Sequence, residues 1–93
     1  MKVLLTAINS KFIHSNLAIR YLKAFTEDLN YDCTLREFSI NDRDEKVLEE
    51  IIKEKPDVVA FSTYIWNIEM VKRLSSLIKI VNKNIEILYG GPE

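Results

Sequence analysis

The chain has 93 residues, 47% hydrophobic and 29% charged, with 13 basic side chains against 14 acidic ones. That length fits one domain, and a net charge of −1 lacks the positive field that nucleic-acid partners require. One cysteine (Cys33), one histidine (His14) and two glycines (Gly90, Gly91) exclude, within this chain, a disulfide framework, cysteine zinc sites, iron–sulfur clusters and glycine-rich phosphate loops. Nothing approaches 18 consecutive apolar residues, so no membrane span is expected. The short apolar run after Lys2 is not a signal peptide, and a reducing, cytoplasmic setting is expected.

Residues 2–8 are almost continuously apolar (Val3, Leu4, Leu5, Ala7, Ile8), which predicts a strand buried on both faces. Ser15 or Asn16 can cap a following helix with an apolar stripe of Leu17, Ala18, Tyr21, Leu22, Phe25 and Leu29. After the break at Asn30-Tyr31-Asp32, Cys33 and Leu35 alternate with Thr34 and Arg36 as in a half-exposed edge strand. Asp42 and Glu45 resemble a capping box ahead of a helix with Val47, Leu48, Ile51 and Ile52 on one side. Pro56 ends that helix by biasing Lys55 away from helical geometry. Residues 57–62 predict a second doubly buried strand. Asn67 can then cap a helix carrying Met70, Val71, Leu74, Leu77, Ile78 and Val81, and residues 85–89 predict a fourth strand.

Strict strand–helix alternation implies an α/β fold, a flavodoxin-like or Rossmann-like three-layer sandwich with a parallel sheet. Central placement of the two most apolar strands and an edge for the alternating one give the order 2-1-3-4. Ligands of such sheets bind at the carboxyl ends of the strands where the winding reverses. That shelf would be lined by residues 9–14, 62–66 and 90–92. It gathers Phe12, Ile13, Tyr64, Ile65 and Trp66 in loops, beside small hydroxyl groups and the glycine pair, as a ligand with a large flat or apolar face requires.

Several chemistries are absent. Phe61-Ser62 and Asn9-Ser10 stand where a phosphoacceptor receiver domain needs aspartates. Ser10 and Ser15 are a poor substitute for a flavodoxin phosphate loop. Cys33 has no redox partner, and no nucleophile–base–acid set can be assembled, so no catalytic residue is assigned.

Three segments carry a resemblance. Asn9-Ser10-Lys11-Phe12-Ile13-His14-Ser15-Asn16-Leu17-Ala18-Ile19-Arg20-Tyr21-Leu22, Asp57-Val58-Val59-Ala60-Phe61-Ser62-Thr63-Tyr64 and Ile87-Leu88-Tyr89-Gly90-Gly91-Pro92-Glu93 together resemble the N-terminal cobalamin-binding domain of radical S-adenosylmethionine enzymes. The resemblance implies that Ser62 contacts the dimethylbenzimidazole tail of cobalamin and that Gly90 and Gly91 border the nucleotide tail. The wider family's Asp-x-His-x-x-Gly signature, source of an axial histidine, is not matched. Around His14 the aspartate position is Phe12 and the glycine position is Leu17, and Tyr64 replaces the leucine of the Ser-x-Leu signature. Members attached to radical enzymes often lack the axial histidine, so no metal ligand is assigned.

The shelf and the resemblance together make Asn9, Ser10, Phe12, Ser62, Thr63, Tyr64, Gly90 and Gly91 the candidate cobalamin contacts. Residues 1–93 are expected to form a single, partial domain lacking the fifth strand and closing helix of such enzymes. The iron–sulfur cluster and S-adenosylmethionine would belong to a missing C-terminal radical domain, the expected partner. An uncovered sheet face would favour homo-oligomers. The alternative is a cofactor-free α/β interaction domain that retains only the fold; a flavin-binding module is more distant.

Overall fold

A computed structural model of the chain describes residues 2–10 and 32–90. Four strands, β1 (Lys2–Asn9), β2 (Asp32–Ser39), β3 (Val58–Ser62) and β4 (Glu86–Gly90), form one parallel sheet in the order β2-β1-β3-β4. Helix α1 (Asp44–Lys53) follows β2, and α2 (Ile68–Val81) follows β3. The helix expected from Ser15 or Asn16 to Leu29 lies outside the described residues.

Side-chain alternation divides β1 between two cores. Leu4 and Ile8 join Val59 and Phe61 of β3 beneath Val47 and Ile51 of α1 and Met70, Val71, Leu74 and Ile78 of α2. Val3, Leu5 and Ala7 face the other way with Val58 and Ala60. The two apolar strands are therefore central because both faces must leave water, whereas β2, with Leu35 44% exposed, tolerates an edge. Both described helices cover one face, as right-handed crossovers on the same side of the winding reversal demand.

Two local expectations are corrected. Asp42 does not cap α1. Its carboxylate accepts the Ser39 N–H at 2.9 Å, and its own N–H donates to the Ser39 carbonyl at 3.0 Å. The carboxylate thus closes the turn after β2, and Arg43 precedes α1 with no side-chain cap. Asn67 precedes α2 but likewise makes no capping bond; its side chain turns back toward the sheet. The expected boundary before Pro56 holds: Lys55 leaves helical geometry at φ 52° while its N–H still donates to Ile52.

The amino end of the sheet is tied by charge. Lys2 Nζ donates to Glu54 at 3.1 Å, and Arg36 reaches Glu54 at 2.8 Å and Glu50 at 3.0 Å. Asp57 accepts the Lys2 N–H through its side chain at 2.8 Å and the Glu86 N–H through its carbonyl at 3.1 Å, linking the starts of β1, β3 and β4. This leaves the opposite end for a ligand. Among the described residues no helix is long and apolar enough to cross a membrane.

Candidate functional site

At the carboxyl end of the sheet, strand register assembles a row of small residues. Ala7 of β1 pairs with Ser62 of β3, which pairs with Gly90 of β4. In-register residues of parallel strands point to the same face, here the one opposite α1 and α2. One row deeper stand Leu5, Ala60 and Leu88, so the side chains shrink toward the strand ends and the sheet surface dips there into a small-residue trough, with Ala7 and Ser62 themselves fully buried. Asn9 lies on the same face of β1, and its amide donates to Glu37 of β2 at 3.5 Å; Ser10 follows directly.

Ser62 is fully buried, yet its hydroxyl has no hydrogen-bond partner among the described residues. Leaving a buried hydroxyl unpaired costs about 1–3 kcal/mol. A second such hydroxyl, on Thr6, lies on the helix-covered face among the core residues. The two differ in position: Thr6 is mid-strand, whereas Ser62 ends β3 beside the trough.

The next two candidates are placed differently. The Thr63 N–H and hydroxyl both donate to the Gly90 carbonyl, at 2.6 Å and 3.2 Å, which ties the end of β3 to the end of β4. Thr63 borders a cavity of about 380 Å³ with Ile68, Val71, Lys72 and Tyr89, on the helix side of the sheet. Thr63 and Ser62 thus serve opposite faces. Tyr64 lies in the following loop and stacks on Trp66, with ring centroids 5.3 Å apart and planes inclined by 11°. Of the eight candidates, Asn9, Ser62 and Gly90 share the trough face, Ser10 follows Asn9 at the end of β1, Thr63 faces the helix side, and Tyr64 lies in the loop after β3. Phe12 and Gly91 lie outside the described residues.

Asn67 is the residue whose role sequence reasoning missed. It is 1% exposed. Its amide donates to the Ile8 and Ser62 carbonyls, both at 3.1 Å, and its side-chain oxygen accepts the Tyr64 N–H at 2.8 Å. An asparagine shortly after a strand end was the available signal, but its helix-start position suited a cap equally well.

Among the described residues, Asn9, Ala7, Ser62 and Gly90 on the trough face are uncharged, and Glu37 is the charged group that bonds Asn9. The perturbed groups lie elsewhere: hydrogen bonds to Glu50 and Glu54 raise the pKa of Arg36, and hydrogen bonds from Lys2 and then Arg36 lower that of Glu54. Asp44 likewise raises the pKa of Arg73 on the outer surface of the helices. Among the described residues no group of three or more metal-ligating side chains occurs. The arrangement offers one buried hydroxyl, on Ser62, flanked in register by alanine and glycine.

A parallel sheet in the order 2-1-3-4, with small residues in register at its carboxyl end, defines an α/β fold of flavodoxin-like architecture. Comparison with known families narrows this: residues 3–93 match the B12 binding domain, and the chain belongs to that family. Membership points to cobalamin as the ligand class. No curated protein matches the chain.

Proposed function

We propose that this chain is the cobalamin-binding module of a radical S-adenosylmethionine enzyme, and that it holds the cofactor at the carboxyl ends of β1, β3 and β4. The observation that carries the reading is the Ser62 hydroxyl, buried and unpaired in a row whose other members are alanine and glycine. The residues present fit cobalamin: its aromatic nucleotide base matches a trough that a larger side chain at Gly90 would fill, and its heteroatoms can satisfy Ser62. In this reading Ser62 donates to the tail, Gly90 and Gly91 border it, and Asn9, Ser10, Phe12, Thr63 and Tyr64 form the walls. Bound cobalamin supplies a cobalt centre able to carry an alkyl group; the chain itself binds, orients and shields from water.

The radical-enzyme context rests on the three resembling segments. The chain's one cysteine cannot hold the iron–sulfur cluster, which together with S-adenosylmethionine would belong to a separate radical domain. His14 does not serve as the axial ligand, because Phe12 and Leu17 replace the anchoring aspartate and the glycine of the histidine-bearing signature. Cobalt(II) cobalamin on the chain should show no lower-face nitrogen splitting in electron paramagnetic resonance. A splitting lost in His14→Ala would contradict that assignment.

The test of the whole reading is a titration with cobalamin and with cobinamide, which lacks the nucleotide tail. Cobalamin should bind at least about ten-fold more tightly, a difference of about 1.4 kcal/mol. Equal affinities would remove Ser62 and Gly90 from the site.

A further inference from the structure

We infer that Asn67 is a positioning residue that fixes Tyr64 and Trp66 as a stacked aromatic platform for the flat face of the ligand. This rests on the cobalamin reading for the identity of the ligand, but the positioning role does not. Both amide hydrogens of Asn67 are committed to backbone carbonyls at the ends of two adjacent strands, Ile8 of β1 and Ser62 of β3. Its oxygen holds the Tyr64 N–H, and its own N–H returns to the Tyr64 carbonyl at 3.1 Å. Residues 64–67 are thereby closed into a turn anchored to the sheet at two points.

That turn carries a nearly parallel ring pair, 5.3 Å between centroids, in the loop that leaves the carboxyl end of β3. Ile65 between them is 77% exposed, while Tyr64 and Trp66 are half-buried. Aromatic side chains held in an open loop at the ligand end of the sheet present a π-face at little ordering cost once the loop is fixed. A hydrogen-bonded amide at 1% exposure, with every side-chain polar atom used, supplies that rigidity.

Trp66 is the only tryptophan, so its fluorescence reports the platform directly. Iodide quenching and emission would be measured on the unliganded 93-residue chain, wild type against Asn67→Ala and Asn67→Asp, with far-ultraviolet circular dichroism tracking the fold. Both variants should raise the quenching constant and red-shift the emission at unchanged secondary structure. Asn67→Asp should be the more severe, since a carboxylate oxygen would face two carbonyl oxygens. Unchanged quenching in the folded variants would overturn the positioning role.

Trp66→Leu, which leaves Asn67 and its bonds in place, tests the platform independently. Hydroxocobalamin affinity should fall by up to about ten-fold, the range of an aromatic stacking contact. Unaltered affinity in Trp66→Leu would overturn the platform. A wild-type chain that binds no cobalamin would overturn the ligand assignment, and the quenching result would still decide the role of Asn67.

Discussion

Ser62 stands in register with Gly90, so the buried hydroxyl without a partner has as its cross-strand neighbour a residue without a side chain. A β-branched residue at position 90 suits a strand by propensity but would place two methyl groups in the trough. Gly90→Val should therefore retain the folded structure and weaken cobalamin by about ten-fold or more, as a blocked contact does. Isothermal titration alongside thermal unfolding checks this; a folded variant with wild-type affinity would place the ligand elsewhere.

The two unpaired hydroxyls separate stability from function. Ser62→Ala should stabilise the unliganded chain by about 1 kcal/mol, since an unsatisfied buried hydroxyl is removed, and should weaken cobalamin binding. Thr6→Val, on the helix-covered face, should give a similar gain of about 1 kcal/mol with no change in binding. Urea unfolding and cobalamin titration of both variants provide the comparison. Equal effects of the two substitutions on binding would deprive Ser62 of its special place.

The fold was legible in the sequence because burial on both faces leaves a plain signature. Continuous apolar runs at Val3 to Ile8 and Val58 to Phe61 mark the central strands, and the alternation around Leu35 marks the edge. The site was legible in part. Topology alone brings Asn9, Ser62 and Gly90 to one end, but which face each serves depends on register, and Thr63 falls on the other side of the sheet from Ser62. Short polar side chains were the hardest to read. Asp42 and Asn67 both stand where a cap is plausible, yet one closes a turn with Ser39 and the other bridges two strand ends, because the nearby backbone groups compete for the same oxygen and amide.

Acid should loosen the amino end of the sheet. The Lys2 ammonium, and after it the Arg36 guanidinium, hold Glu54 below its ordinary pKa. A carboxylate depressed in the folded state contributes stability above its unfolded pKa of about 4.3 and loses it as pH falls through the lower folded value. Urea midpoints should drop across that acidic window, less steeply at high salt and less steeply in Glu54→Gln. An identical pH profile for Glu54→Gln would show that Glu54 adds nothing to acid stability.

Cobalamin retention is the central claim, and co-elution measures it most directly. The purified chain, mixed with excess hydroxocobalamin and passed through a gel-filtration column, should carry the corrin absorption bands with the protein peak. Ser62→Ala and Gly90→Val should retain less pigment under the same conditions. A colourless protein peak from a wild-type chain shown by circular dichroism to be folded would contradict the account.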